Sequence, residues 1–276
     1  MRRNTPPPSR PPDGPDGSGK ADGIRASGFA KNPVPSARVR PANGVRTVRS
    51  EVVSAKLSSL NQLVTDWDSI VLYIQKTVSL MAARRRIQND QLLEPRIDIA
   101  VPAIEAIRYS ALKKELALLI ASTMDPTRTH DAHPAFIEFL KQISRDEINL
   151  IAHLPPPSHV VPMATLHHLD RAGSIQRSLR HIIPPAYAER CERQASIPGY
   201  IDNLLRLNLI SNTSQFEISE TSHYRDLLNQ DFVQQYRQSV GPQLTPKIVR
   251  HVVCLTEFGQ QFRSCCIDPP DGAAWR

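Results

Sequence analysis

The C-terminal quarter of the chain constrains the fold more than any other stretch. The leucine-rich segment Ile201–Ile210 predicts a short helix, and the β-branched run Ile248–Leu255 predicts a strand. Thr256 then precedes a segment with Phe258 and Phe262, and its hydroxyl is suited to cap a terminal helix. A short apolar helix, a strand and a capped helix are the parts of a winged-helix-like module. We therefore expect a small α+β module of this kind, which binds nucleic acid or proteins and seldom catalyses a reaction.

The first 50 of the 276 residues differ in composition from the rest. They hold ten Lys or Arg against three Asp, nine of the 24 prolines and six of the eleven glycines. Such a segment buries too little apolar surface to offset the entropy lost on ordering, so a disordered basic tail is predicted for residues 1–50. The remaining residues hold 24 basic and 24 acidic side chains. The folded part therefore carries no net charge, and its composition does not indicate a basic face that would bind nucleic acid.

Targeting signals and the spacing of the cysteines indicate the cellular compartment in which the protein is expected. Arg2 and Arg3 are not followed by an apolar stretch, so no secretory signal is expected. No uninterrupted apolar run approaches the ~20 residues that span a bilayer, so membrane insertion is not expected either. The protein is therefore predicted to be cytoplasmic. Its four cysteines include no Cys-x-x-Cys pair, and neither a structural zinc ion nor another cofactor is expected.

A regular apolar stripe marks the start of the folded part. Its positions alternate in steps of three and four, as on one face of a helix. The stripe consists of Leu57, Leu60, Val64, Trp67, Val71, Ile74, Val78 and Met81. Two interpretations stay open: the helix Leu57–Met81 packs on its own domain, or it forms the seam of a homodimeric coiled coil. The bulk of Trp67 favours packing within the chain.

Further helices complete a helical domain that is predicted over residues 51–142. The segment Leu112–Met124 has the apolar spacing of a strong helix, with its charged residues near the start. Asp125 ends it, because the following Pro126 disfavours the α conformation of the residue before it.

The loop after that helix holds the best candidates for reactive chemistry. His130, Asp131 and His133 could ligate a metal ion in a metal-dependent nuclease. A tight loop presents few ligands without help from elsewhere, however, and His133-Pro134 is better suited to begin a helix. No catalytic residue and no metal ligand is therefore assigned.

Residues 143–266 are predicted to form the winged-helix-like module with helical insertions, and residues 267–276 to be disordered. Ser144 and Glu147 have the spacing of a capping box at the start of a helix. From Pro155 to about Ala195 the pattern is less regular, and one or two helices are expected. A single helix is expected from Glu220 to Val240. The overall fold class is thus mainly α, with a helical body and a small α+β module.

Four ordered blocks of residues resemble the abortive-infection alpha family of bacterial proteins. The blocks are Leu116-x-x-Leu-Ile-Ala-Ser-x-Met-Asp125, His133-Pro-x-Phe-Ile137 with Leu140-Lys-Gln-Ile-Ser144-x-Asp-Glu147, Tyr200-Ile-Asp-Asn-Leu204-x-Arg-Leu-x-Leu-Ile210, and Leu255-Thr-x-Phe-Gly259-x-Gln-Phe262. The resemblance covers roughly residues 60 to 266. It implies bacteriophage defence by a non-enzymatic protein and supplies no catalytic residues. Asn208 replaces the glycine that the family tends to have, and asparagine tolerates the same left-handed conformation.

Three functions follow from these patterns, and one is preferred. The first is a non-enzymatic interaction or sensor protein that recognises a macromolecular partner, a protein in preference to DNA. The second is a winged-helix DNA-binding regulator, in which Asn203 and Arg206 face bases and Lys247 and Arg250 contact phosphate. The long spacing between its candidate helices and wing strands argues against that alternative. The third is the metal-dependent nuclease.

Overall fold

A computed structural model describes residues 43–60, 67–156, 158–213 and 221–269. Most of these residues are helical, and a small four-stranded sheet lies in the second half of the chain. The helices are α1 (Asn43–Leu57), α2 (Trp67–Arg84), α3 (Ile97–Ile107), α4 (Lys113–Thr123), α5 (Ala135–Gln142), α6 (Arg145–His153), α7 (Pro185–Ala188), α8 (Ile197–Arg206), α9 (Thr221–Leu228), α10 (Asp231–Gln238) and α11 (Glu257–Cys266). The strands are β1 (Val161–Leu169), β2 (Ile175–Ile182), β3 (Ile210–Thr213) and β4 (Thr245–Leu255). The mainly α fold class is confirmed.

The sheet is antiparallel throughout and has the order β2-β1-β4-β3. Its β1–β2 hairpin occupies most of the stretch between Pro155 and Ala195, where one or two helices were predicted, and among the described residues there only the short α7 is an α-helix. The prediction is therefore wrong for residues 161–182. The reason is visible in β1, where four successive residues from Met163 to Leu166 are buried. A strand covered on both faces loses its alternation of apolar and polar residues and cannot be told from a helix by periodicity alone.

The apolar stripe does not follow one continuous helix. Helix α1 ends at Leu57, a 3₁₀ turn covers Ser58–Leu60, and α2 begins at Trp67. Stripe residues on both sides of this break are buried in the core of the same chain, namely Leu57, Leu60, Ile74, Val78 and Met81. They are therefore covered without a second copy. Val64 lies outside the described residues.

The predicted ends of the folded part also shift. Helix α1 begins at Asn43, inside the segment predicted as a disordered tail, and residues 1–42 of that segment lie outside the described part. At the other end Ile267 is buried, and the Asp268 carboxylate pairs with Arg84 at 3.1 Å and with Lys114 at 3.0 Å. The chain is thus packed for at least two residues beyond position 266, and residues 270–276 are outside the described part.

One continuous core joins the helical body to the sheet. Its buried side chains come from α1 to α6, α8 and α11, and from the ends of β1, β3 and β4. The boundary predicted at residue 142 therefore does not coincide with a gap in the core. A second, smaller cluster lies beneath α9 and α10 and comprises Ala164, Leu166, Ile182, Tyr224, Leu227 and Val233.

The single helix predicted from Glu220 to Val240 is two helices, α9 and α10, separated by Asn229 and Gln230. The break changes the helical phase, so Val233 is buried and Phe232 is 47% exposed. Gln230 donates side-chain hydrogen bonds to the Ile183 and Leu227 carbonyls, both at 3.1 Å. These bonds fix the start of α10 against the end of β2.

A tight junction connects α8, β3 and α11. Asn208 adopts φ +55°, the left-handed conformation expected from the sequence, and reverses the chain after α8. The Thr256 hydroxyl donates to the Asn208 carbonyl at 2.7 Å and accepts from the Gly259 amide at 2.8 Å, so the predicted cap of α11 is confirmed. A Cβ atom on Gly259 would lie 1.8 Å from the Leu209 carbonyl oxygen. Only glycine fits at this contact.

Candidate functional site

Two of the four predicted contact residues are engaged within the chain. Asn203 donates to the Glu147 carboxylate at 2.6 Å and to the Gln142 carbonyl at 3.1 Å. Arg206 donates to the Asn203 side-chain oxygen at 2.7 Å and to the Gln142 side-chain oxygen at 2.8 Å. These bonds hold α8 against α5 and α6. The side chains that would face bases in the DNA-binding alternative are thus occupied in packing helices together.

The other two predicted contacts, Lys247 and Arg250, lie three residues apart on β4. The pairing of β4 with β1 is regular through both positions, so their side chains point to opposite faces of the sheet. Arg250 lies on the face covered by α9, with its guanidinium carbon 5.4 Å from the centre of the Tyr224 ring. Lys247 is exposed on the other face. The structure therefore does not bring the four residues to one surface.

The loop before α5 that holds His130, Asp131 and His133 does not direct these three side chains to one point. His133 Nδ1 accepts a 3.1 Å hydrogen bond from the Ala135 amide, and its ring lies 5.5 Å from the ring of Phe258. His130 Nε2 is 3.6 Å from the Asp131 carboxylate, and the His130 side chain is 71% exposed. In the part of the chain that the structure describes, no three His, Cys, Asp or Glu side chains are grouped as a metal ion would require.

A cleft of about 890 Å³ lies between β2, the α7 region, the start of α8 and α10. Its apolar lining includes Leu179, Ile183, Ile197 and the half-exposed Phe232. Polar and charged groups of both signs also line it: Arg180, His181, Glu189, Gln194, Asn229, Gln230, Asp231 and Gln235. A concave apolar surface with a few polar groups is the general form of a binding site.

The β2 wall of this cleft is fixed by Asp202 on α8. The Asp202 carboxylate lies 2.8 Å from both the Arg180 guanidinium and the His181 Nε2 atom. Partial burial would raise the pKa of Asp202, but the hydrogen bonds from His181 and Arg180 outweigh it and lower the pKa. His181 adopts φ +54° at a bulge where the register against β1 shifts, and its buried Nδ1 atom has no partner among the described residues.

Sequence reasoning did not find this cleft, because the strand β2 that forms one of its walls was not predicted. Phe232 lies within the segment that was predicted as a single helix, and the break at Asn229 and Gln230 turns it outward. The sequence did contain a signal for this break. Asn229 is unfavourable in a helix interior, and Asp231 is favourable in the first turn of a helix, so the two together indicate that a new helix begins here.

A sequence model described as "Abortive infection alpha" matches residues 71–266. The chain belongs to this family. The match confirms the resemblance drawn from the four blocks. The search of curated proteins gave no match.

Among solved structures, the chain is similar to an uncharacterized protein from the hydrocarbon-degrading marine bacterium Alcanivorax borkumensis SK2, at 19% identity. The alignment covers 50% of this chain and 94% of that one, with a TM-score of 0.32. A likeness at this level carries no argument about fold or function. Within the described residues, no helix combines the length and apolar character needed to cross a bilayer.

The abortive infection alpha blocks meet one another in the interior. Phe136 from the second block and its neighbour Phe139 contact Phe258 and Phe262 from the fourth, with ring centres 5.1 to 6.3 Å apart. Asp125 at the end of the first block is fully buried and pairs with Arg85 at 2.7 Å. The residues that identify the family thus account for much of its core.

Asp146 joins the second block to the third. Its buried carboxylate accepts hydrogen bonds from the Glu192 amide at 2.9 Å, the Arg193 amide at 3.0 Å and the Tyr200 hydroxyl at 3.1 Å. Burial alone would raise the pKa of Asp146, but these three bonds stabilise the charged form and the pKa is lowered. An ionised Asp146 therefore organises the segment that leads into α8.

Proposed function

We propose that this abortive infection alpha protein acts in bacteriophage defence in the cytoplasm by recognising a partner protein, without catalysing a reaction. The proposal is carried by the family match over residues 71–266. The cleft between β2, α7, α8 and α10 is the surface that we assign to the partner, because it combines an apolar lining with charged groups at fixed positions.

The chemistry of the cleft suits a segment of protein better than a nucleic-acid backbone. Arg180 contributes a positive charge, whereas Glu189 and Asp231 contribute negative ones that would repel phosphate. Phe232 supplies a large exposed apolar side chain of the kind that anchors protein interfaces. An extended peptide with one or two apolar side chains and both charge types is the occupant that these groups would hold.

The two alternative functions receive less support from the contacts. For DNA binding, Asn203 and Arg206 hold helices together and Lys247 and Arg250 lie on opposite faces. For a nuclease, His133 accepts a hydrogen bond from the Ala135 amide and packs on Phe258, so it is engaged within the chain. A salt titration of duplex DNA binding tests the first alternative, since phosphate contacts give a steep loss of affinity with salt. Metal analysis of purified protein and His133→Ala test the second.

Phage challenge of engineered strains tests the proposed function. A deletion strain is complemented with the wild-type chain, with Phe232→Ala, or with Tyr109→Ala as the matched control. Tyr109 is a 90% exposed aromatic residue that does not line the cleft. We expect the wild type and Tyr109→Ala to reduce plaque counts equally on at least one phage of a diverse panel, and Phe232→Ala to lose this protection at unchanged protein level. Equal plaque counts with and without the wild-type gene would refute a role in defence. Full protection by Phe232→Ala would refute the assignment of the cleft.

A further inference from the structure

A pocket of about 380 Å³ lies where the sheet meets the connection between α10 and β4. The sheet contributes His168 from β1 and Pro246 and Ile248 from β4. His168 is paired with Pro246 in the register of the two strands, and Ile248 follows two positions later, so the three side chains lie on one face. None of the described residues that line this pocket also lines the cleft assigned to the partner protein. The pocket is therefore a separate concave surface, of the size that small ligands occupy.

The connection between α10 and β4 supplies an apolar wall that hydrogen bonds hold in place. The Leu244 amide donates to the Gly241 carbonyl at 3.2 Å, which closes a turn in this connection. At its start, the Arg177 guanidinium donates to the Ser239 carbonyl at 3.3 Å. The residues of the connection that line the pocket are Val240, Gly241, Pro242 and Leu244. The shape of the wall is thus fixed by contacts within the chain.

Arg237, in the last turn of α10, gives the pocket a positive charge. No acidic side chain is among the described residues that line the pocket, and Arg237 forms no ion pair within the described part of the chain. Its Nε atom is buried and has no hydrogen-bond partner there. Because a buried N–H group without an acceptor is costly, the geometry indicates that an acceptor comes from another molecule.

His168 presents a second unpaired group at the same pocket. The residue is 4% exposed, and its Nδ1 atom is buried without a partner among the described residues. Burial, and then the positive charges of Arg237 and Arg177, lower the pKa of His168, so its ring is neutral at pH 7. Buried polar atoms are almost always paired. Water molecules would pair with these two atoms but would leave the apolar wall uncovered, whereas one ligand of mixed character does both.

We infer that this pocket binds a small carboxylic acid with an apolar body, its carboxylate between Arg237 and His168. A carboxylate accepts two parallel hydrogen bonds from a guanidinium group, and its single negative charge balances the single positive charge of the lining. The neutral His168 ring adds a donor when Nδ1 carries its proton. The body of the ligand lies against Pro242 and Leu244. A phosphate group, with up to about two negative charges, would be only partly neutralised here.

This inference goes beyond the proposed function and can fail independently of it, because it concerns other residues and is measured on purified protein. Isothermal titration of the full chain uses four carboxylates as probes, namely acetate, hexanoate, phenylacetate and indole-3-acetate, with phenylacetamide and inorganic phosphate for comparison. We expect phenylacetate to bind at least about tenfold more tightly than phenylacetamide, which has the same shape without the charge. We also expect it to bind more tightly than acetate, which lacks the apolar body.

Substitutions locate the binding. Arg237→Gln is expected to weaken binding of phenylacetate about tenfold or more, because its charge-assisted contacts are lost. Arg171→Gln, at an exposed arginine in the β1–β2 turn outside the pocket, is the matched control and is expected to change nothing. If Arg237→Gln does not fold, Leu244→Ala replaces it, and we expect about fivefold weaker binding because apolar contact with the ring is lost.

Each of four outcomes would overturn the inference. They are no binding of any carboxylate at up to about 10 mM, equal binding of phenylacetate and phenylacetamide, wild-type affinity in the folded pocket variant, and tighter binding of inorganic phosphate than of every carboxylate. The last would favour a phosphate site instead.

Discussion

The Tyr200 hydroxyl donates a 3.1 Å hydrogen bond to the buried carboxylate of Asp146, and so connects the first turn of α8 to the first turn of α6. Two backbone amides, of Glu192 and Arg193, complete the shell around the same carboxylate. The segment between β2 and α8 contains only one short helix and a 3₁₀ turn, and these hydrogen bonds help to hold it against α6. Because that segment forms part of the cleft, Asp146 supports the proposed binding surface without touching it.

Asp146→Asn is expected to lower the free energy of unfolding by about 2 kcal/mol at pH 7, because an amide replaces a charged acceptor of three hydrogen bonds. Tyr200→Phe removes one donor only and is expected to cost about 1 kcal/mol. Urea unfolding followed by circular dichroism measures both. Equal midpoints for wild type and Asp146→Asn would show that the carboxylate contributes nothing.

The effect of Asp146→Asn should also depend on pH. The folded-state pKa of Asp146 lies below its ordinary value, so its contribution is fully present above the unfolded-state pKa of about 3.9. It is lost as the pH falls from there through the folded-state pKa. The gap in stability between wild type and variant should therefore be constant from pH 7 to pH 5 and shrink below pH 4. A gap that grows on acidification would contradict this.

Gly259→Ala is expected to destabilise the protein by about 3 kcal/mol, because the new Cβ would overlap the Leu209 carbonyl oxygen and the backbone would have to move. Gly199→Ala is the matched control. Gly199 lies in α8, and a Cβ there meets no atom within 4 Å. Helix propensity alone then predicts a gain of about 0.5 kcal/mol. Thermal unfolding of the two variants side by side gives both values, and equal melting temperatures would refute the steric argument.

Substitutions at Asn203 and Lys247 test whether these predicted contact residues contribute to the stability of the fold. Asn203→Ala leaves the buried Glu147 carboxylate without its 2.6 Å donor, and we expect a loss of about 2 kcal/mol. Lys247→Ala removes an exposed side chain and should stay within about 0.5 kcal/mol of wild type. Chemical unfolding distinguishes the two. Wild-type stability of Asn203→Ala would contradict a packing role for Asn203 and favour its contact with a partner.

One buried and one partly buried histidine should make the protein less stable in mild acid. Burial first, and then positive neighbours, lower the pKa of His168 and of His251. The unfolded chain therefore takes up protons more readily, so stability falls as the pH drops below the unfolded-state value of about 6.5. His168→Gln should reduce the slope of the unfolding free energy against pH between pH 7.5 and pH 5.5. Urea unfolding midpoints at three pH values measure this slope for the wild type and the variant. An unchanged dependence of stability on pH in His168→Gln would contradict the prediction.

Local signals in the sequence were sufficient to predict an element where its own residues mark its beginning, its end or its cap. The capping box of Ser144 and Glu147 forms as predicted, with the Ser144 amide donating to the Glu147 carboxylate at 2.6 Å. The cap at Thr256, the strand that ends at Leu255 and the left-handed Asn208 are likewise confirmed. These features depend on side chains within a few residues of the backbone groups that they satisfy, and a linear sequence records such neighbours directly.

The sequence by itself thus determined the helical character of the chain, its caps and its family. Only the tertiary structure decided that β1 and β2 form a hairpin, that Asn203 and Arg206 face other helices, and that Phe232 faces solvent. Each of those outcomes depends on which surface covers a residue from outside its own element. Ala164 and Leu166, on one face of β1, are buried in a cluster that includes Tyr224 and Leu227, more than 50 positions away along the chain. Contacts over such distances along the chain leave no period or spacing in the sequence from which they could be predicted.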